Sequence, residues 1–128
     1  MLAPDDSLVD PAALRKLWGL QAEDGTALAT ALIDLFAGTT EHAIRQIGDE
    51  LARGPAGLRE ARRLAHSLKG SAGILGAQAM GDLARAMELL AADGQADRIP
   101  PLLTQLAAIA DTTIAQLRQA QAKLAAEA

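Results

Sequence analysis

The stretch AHSLKGSAGILGA, Ala65 to Ala77, decides how this chain is read. At about 100° per residue, with Leu64 at zero, Ala61, Leu64, Leu68, Ser71 and Leu75 fall within an arc of roughly −20° to 60°. That is one face of a helix, and it is expected to meet a core. On the same wheel Lys69 lies near about 140°, Arg62 about 160°, Gly73 about 180°, His66 about 200°, Arg59 about 220° and Gly70 about 240°. The histidine is therefore expected almost opposite the core, among basic residues and glycines. Glycine inside a helix costs about 1 kcal/mol relative to alanine, so Gly70, Gly73 and Gly76 need a reason. For Gly70 and Gly73 the wheel supplies one: missing side chains let a partner approach the imidazole closely. Gly76 lies near the turn into the next helix, where close helix packing is the expectation.

Outward from this stretch the chain keeps a helical period. Asp10-Pro11 reads as a helix start, with Asp as cap and Pro in the first turn, and Gly19 is expected to end that short helix after Trp18. Asp24, Gly25 and Thr26 mark the next boundary. Leu28, Leu32, Leu35, Phe36, Ala43, Ile47 and Leu51 then recur as the stripe of a long second helix, broken at Gly54-Pro55. A third helix is expected from about Ala56 to Leu75 and a fourth from about Gln78 to Ala92, with Met80, Leu83, Met87 and Leu90 on its stripe. Asp93-Gly94 closes the fourth helix. Ile99-Pro100-Pro101 opens the last, striped by Leu102, Leu106, Ile109, Thr113, Leu117 and Leu124, and its C-terminal end QAQAKLAAEA is expected to fray. Short connections make successive helices antiparallel. The expected fold is all-α: an up-down-up-down four-helix bundle with a short extra N-terminal helix, one domain over residues 1–128 with a core from about 10 to 124.

Composition agrees with this reading. The 128 residues include one Phe, one Trp, no Tyr and no Cys, and carry a net charge of −4. Such an alanine- and leucine-rich chain favours helices over sheets. The acidic balance speaks against wholesale nucleic-acid binding, and the missing cysteines exclude disulfides and thiolate metal sites. No apolar run is long enough to span a bilayer, and the acidic N-terminus is unlike a signal peptide, so a cytoplasmic monomer is expected.

The chemistry follows from the face of His66. A neutral imidazole is a nucleophile near neutral pH and can take a phosphoryl group on one nitrogen. Lys69, three residues on, lies beside it; its ammonium can pair with phosphate oxygens and disfavours the imidazolium. Arg59, Arg62 and Arg63, with Arg53, form a basic patch that suits an acidic partner. Two histidines without cysteine give little for zinc, the Glu-x-x-His pattern of di-iron bundles is absent, and there is no phosphate-binding Gly-Lys-Ser/Thr loop to draw on ATP. His42 has no comparable surroundings and reads as an ordinary histidine at the edge of the second helix.

The run His66-Ser67-Leu68-Lys69-Gly70-Ser71-Ala72-Gly73-Ile74-Leu75-Gly76-Ala77 closely resembles the signature of the histidine-containing phosphotransfer (HPt) domain: His-x-Leu-Lys-Gly, small residues, then Gly-Ala. The resemblance extends to Phe36 in the preceding helix and to Leu83 and Met87-Glu88 in the following one, over roughly Asp10 to Leu117. Met80 and Gly81 depart from the family pattern, which puts the local order of the fourth helix in question. The resemblance implies a phosphorelay carrier, not a kinase. His66 is the phosphoryl acceptor, taking the group from an aspartyl phosphate on one receiver domain and passing it to an aspartate on another. It also implies Lys69 as the phosphate-facing cation and Gly70 as the clearance residue; the basic patch and the glycine gap make Arg59, Arg62, Arg63 and Gly73 the expected docking positions. The implied partners are response-regulator receiver domains and a hybrid sensor histidine kinase. No cofactor is expected on this chain; Mg²⁺ belongs to the receiver. Alternatives are the phosphoacceptor domain of a larger histidine kinase, against which the initial Met1 weighs, or a non-phosphorylated module that docks receivers. A purely structural bundle leaves the glycines unexplained.

Glu88 adds one expectation from register. His66 lies eleven residues before Ala77 and Glu88 eleven after it. If the turn is centred near Ala77, both sit at one height along the bundle, and Glu88 reaches either the second imidazole nitrogen or Lys69.

Overall fold

The computed structural model describes residues 8–20 and 25–127. Five α-helices follow in order: α1 (Pro11–Leu20), α2 (Gly25–Ala52), α3 (Leu58–Leu75), α4 (Gln78–Ala92) and α5 (Pro100–Glu127). Short 3₁₀ turns lie at Gly54–Gly57 and Ala96–Arg98, and no strand occurs among the described residues. Helices α2 to α5 form an antiparallel four-helix bundle in which α3 packs on α2 and α4, and α5 closes the ring between α2 and α4. The short α1 lies across it. Phe36, Ile33 and Ile47 of α2, Leu64, Leu68 and Leu75 of α3, Met80 and Met87 of α4, and Leu106 and Leu117 of α5 fill one core. Each such side chain contributes about 1.5–3 kcal/mol by leaving water.

The helix ends follow from local chemistry. The Asp10 carboxylate accepts the Ala12 N–H at 3.0 Å, capping α1 ahead of Pro11. Helix α3 stops at Gly76 in a Schellman arrangement: the Gly76 N–H donates to the Gly73 carbonyl at 3.3 Å and the Ala77 N–H to the Ala72 carbonyl at 2.8 Å. Gly76 takes φ +77°, the left-handed region. A Cβ there would also lie 2.5 Å from the Asp10 carbonyl oxygen. The packing reason expected for Gly76 therefore holds, with a conformational one beside it.

Several expectations are corrected. Gly19 does not end α1, which runs through it to Leu20. Asp24, read as part of the next boundary, lies outside the described residues. Residues from Gly54 to Gly57 form a 3₁₀ turn, so α3 starts at Leu58. On α3, Ser71 is exposed and Ala72 is fully buried, as is Ala65. The core face is rotated by about 30° from the arc of the wheel, because small alanines let α4 approach closely on that side. Leu35, placed on the stripe of α2, is 62% exposed. Met80 and Gly81 do not disturb α4: Met80 is fully buried, and a Cβ on Gly81 would meet Ala72 at an ordinary 3.7 Å. The last helix does not fray at QAQAKLAAEA but stays helical through Glu127, with Gln121 buried. Its second half is tied by Arg118 to Asp34 of α2 at 2.7 Å and by the Gln116 side chain to the Leu8 N–H at 3.1 Å.

Candidate functional site

The α3–α4 hairpin builds the site. Its tight turn at Gly76-Ala77 sends α4 back along α3 in register, so residues equidistant from the turn stand level. His66 on α3 and Glu88 on α4 are such a pair. His66 Nδ1 lies 2.7 Å from Glu88 Oε2, and Lys69 Nζ donates to Glu88 Oε1 at 2.7 Å. One carboxylate thus holds both residues, where the register argument asked for either. The side chains differ in exposure: 65% for His66, 36% for Lys69 and 16% for Glu88. Lys69 stands on the flank of α3 toward α4, at the edge of the core face, which is why its ammonium meets a carboxylate there. That ammonium, and then the imidazole, hold the Glu88 carboxyl below its ordinary value of 4.5, against the opposing effect of burial.

An ionised carboxylate only accepts hydrogen bonds. In the neutral ring the proton between Glu88 and His66 therefore resides on Nδ1, and the lone pair is left on Nε2. That nitrogen makes no hydrogen bond among the described residues, on a side chain that is 65% exposed. Beyond it are Gly70 and Gly73, both exposed, and a Cβ built on either would meet nothing within 4 Å. Neither glycine is required by packing within the chain.

The basic residues divide into two kinds. Arg63 is bound by Glu60 and Arg53 by Glu50, whereas Arg59 and Arg62 are exposed and make no ion pair among the described residues. His42 is exposed on α2, where it shares a shallow groove with Arg63 and Ser67. The feature that periodicity missed is apolar. Leu35 of α2 and Ile74 of α3, 62% and 60% exposed, face one groove beside the glycines with Leu32 and Thr39. A signal was present: on the helical wheel Leu35 lies about 100° from Phe36, on the side away from Ile33 and Ile47, which puts it at the margin of the stripe. Among the described residues no group of His, Asp or Glu could hold a metal ion. No helix among them is long and apolar enough to cross a membrane.

The sequence matches the family model of the Hpt domain over residues 31–125. No match was found among curated proteins. Among solved structures, the fold is similar to the crystal structure of histidine-containing phosphotransfer protein B from Pseudomonas aeruginosa PAO1. The TM-score is 0.75 at 23% sequence identity, covering 90% of this chain and 95% of that one.

Proposed function

This chain belongs to the Hpt domain family and is a phosphorelay carrier between receiver domains, and on that premise we propose that His66 carries the phosphoryl group, with Lys69, Gly70 and Glu88 in support. The observation that carries the assignment is the His66 ring itself, bonded to a carboxylate through Nδ1 and exposed elsewhere toward a gap left by two glycines.

The chemistry runs as a transfer between two nucleophiles of similar standing. His66 Nε2 attacks the phosphorus of an aspartyl phosphate on the receiver. The N–P bond forms as the P–O bond to the aspartate breaks, and the electron pair leaves with the receiver's carboxylate. The Nδ1 proton stays where it is, shared with Glu88. The phosphorylated ring then carries positive charge, which the Glu88 carboxylate stabilises. Return transfer to another receiver aspartate reverses these bonds. Lys69 is 2.7 Å from Glu88 before the phosphoryl group arrives, and its three donors let it turn to phosphate oxygens while keeping the carboxylate near. Gly70 leaves room for the rim of the receiver. The groove of Leu35 and Ile74 offers apolar surface for docking, and Arg59 and Arg62 offer positive charge to an acidic rim. A hybrid sensor histidine kinase is the proposed source of the phosphoryl group.

The test is label transfer from a purified receiver domain charged with radioactive phosphate. Wild-type protein should gain an acid-labile, base-stable label. His66→Gln should gain none while its helical circular dichroism stays unchanged. A labelled His66→Gln protein overturns the assignment.

A further inference from the structure

A groove of about 620 Å³ runs between α1, the second half of α3 and the first half of α4. Lys69 and Gly73 border it on the side of the site, and Arg85 of α4 stands on its opposite wall. In the antiparallel register that sets Glu88 level with His66, Arg85 is level with Lys69. It lies one turn before Glu88 and is exposed. Arg45, Arg53, Arg63 and Arg118 each bind a carboxylate, whereas Arg15, Arg59, Arg62, Arg85 and Arg98 make no ion pair among the described residues; of these five only Arg85 lines the groove. Two acids also line the groove. The Asp10 carboxylate is engaged as the cap of α1, and Asp82, one turn from Arg85, does not pair with it.

Resting on the reading of His66 as phosphoryl acceptor, we infer that Arg85 is a specificity-determining contact. Its guanidinium takes a carboxylate on the rim of the receiver domain, which enters over Gly73. Three observations point to that partner. A guanidinium presents a planar fork that a carboxylate fits with two hydrogen bonds, and this one is not engaged by the chain's own acids. The groove is continuous with the site through Lys69. At Gly73 a Cβ would touch nothing within 4 Å, so the space above it serves no contact of the folded chain. Arg85 acts on the partner's position and not on the imidazole, which is held by Glu88.

The experiment compares two phosphoryl donors: the receiver domain that transfers fastest to the wild-type chain, and phosphoramidate, which needs no docking. Arg85→Glu should raise the KM for the charged receiver by about ten-fold, leave kcat nearly unchanged and flatten the dependence on salt. Arg85→Lys should recover part of the loss, because it keeps the charge but not the fork. Labelling of His66 by phosphoramidate should be the same in both variants as in wild type. Gly73→Gln should also raise the receiver KM while the protein remains folded. A wild-type KM and salt dependence in Arg85→Glu overturns the inference, as does a wild-type KM in Gly73→Gln. Loss of phosphoramidate labelling in Arg85→Glu overturns it too, since Arg85 would then act on His66. If wild type itself takes no label at His66 from either donor, the acceptor reading fails, which is a different result from failure of docking.

Discussion

Glycines stand at both ends of α3 and in its middle, for opposite reasons. At the ends they serve the inside of the molecule. A Cβ on Gly57 would overlap the backbone carbonyl of Glu50, and one on Gly76 would press against Asp10 and Ala13 in a backbone already left-handed. These glycines let α2 and α1 come close. In the middle, Gly70 and Gly73 face open space, and their backbone is ordinary helix. At the ends glycine lies outside the helix and carries no helix-propensity cost, and the fold uses its missing side chain for close contact. Gly70 and Gly73 lie inside α3 and do carry that cost. No contact within the chain makes use of it, so the return has to come from outside. The comparison teaches that an empty surface can be a built feature when its local energetic penalty has no internal explanation.

The strongest way to break this contrast is at the ends. Gly57→Ala and Gly76→Ala should each destabilise the domain by about 3 kcal/mol, through backbone overlap at the first and overlap plus a disfavoured φ at the second. Urea unfolding monitored by circular dichroism measures both. Wild-type stability in either variant would show that the ends can relax and would dissolve the contrast. The middle is tested by the reverse sign. Gly70→Ala should stabilise the domain by up to about 1 kcal/mol, the propensity difference between the two residues. Gly70→Gln should also fold but lose receiver-dependent transfer. Destabilisation by both substitutions would mean that Gly70 serves packing after all.

The smallest expected effect sharpens what holds the middle in place. The Glu88 carboxyl is held below its ordinary value of 4.5 by Lys69 and then His66. Its stabilising contribution is therefore present above the usual carboxylate range and is lost as pH falls through the lowered value. Glu88→Gln should cost no more than about 1 kcal/mol at pH 7, given partners that are exposed or half-buried, and the gap to wild type should close as the solution is acidified below the ordinary carboxylate range. A gap that stays constant with pH would place the effect of Glu88 in packing instead of charge.

How much was legible beforehand depended on whether a feature was periodic. The helices, their order and the outward face of His66 follow from spacing alone, because a helix repeats every 3.6 residues and apolar residues must share a side. The level placement of Glu88 also follows from counting, since a tight turn fixes the register of an antiparallel pair. The exact hand of the core face did not follow. Ser71 and Ala72 are both small, and only the close approach of α4 decides that Ala72 is the one buried. Leu35 shows the same limit: a leucine on an approximate stripe can fall either side of its edge, and the path of α3 past α2 leaves it in solvent.

The sequence by itself determined the all-helical bundle, the motif around His66 and the chemistry that a histidine beside a lysine and glycines can perform. These depend on residue type and on separations along one helix or across one turn. Only the tertiary structure decided that one carboxylate serves both His66 and Lys69, that Gly70 and Gly73 have no contact to make within the chain, and that Leu35 joins Ile74 beside the site. Those depend on distances between helices, which are set by the packing of the whole core.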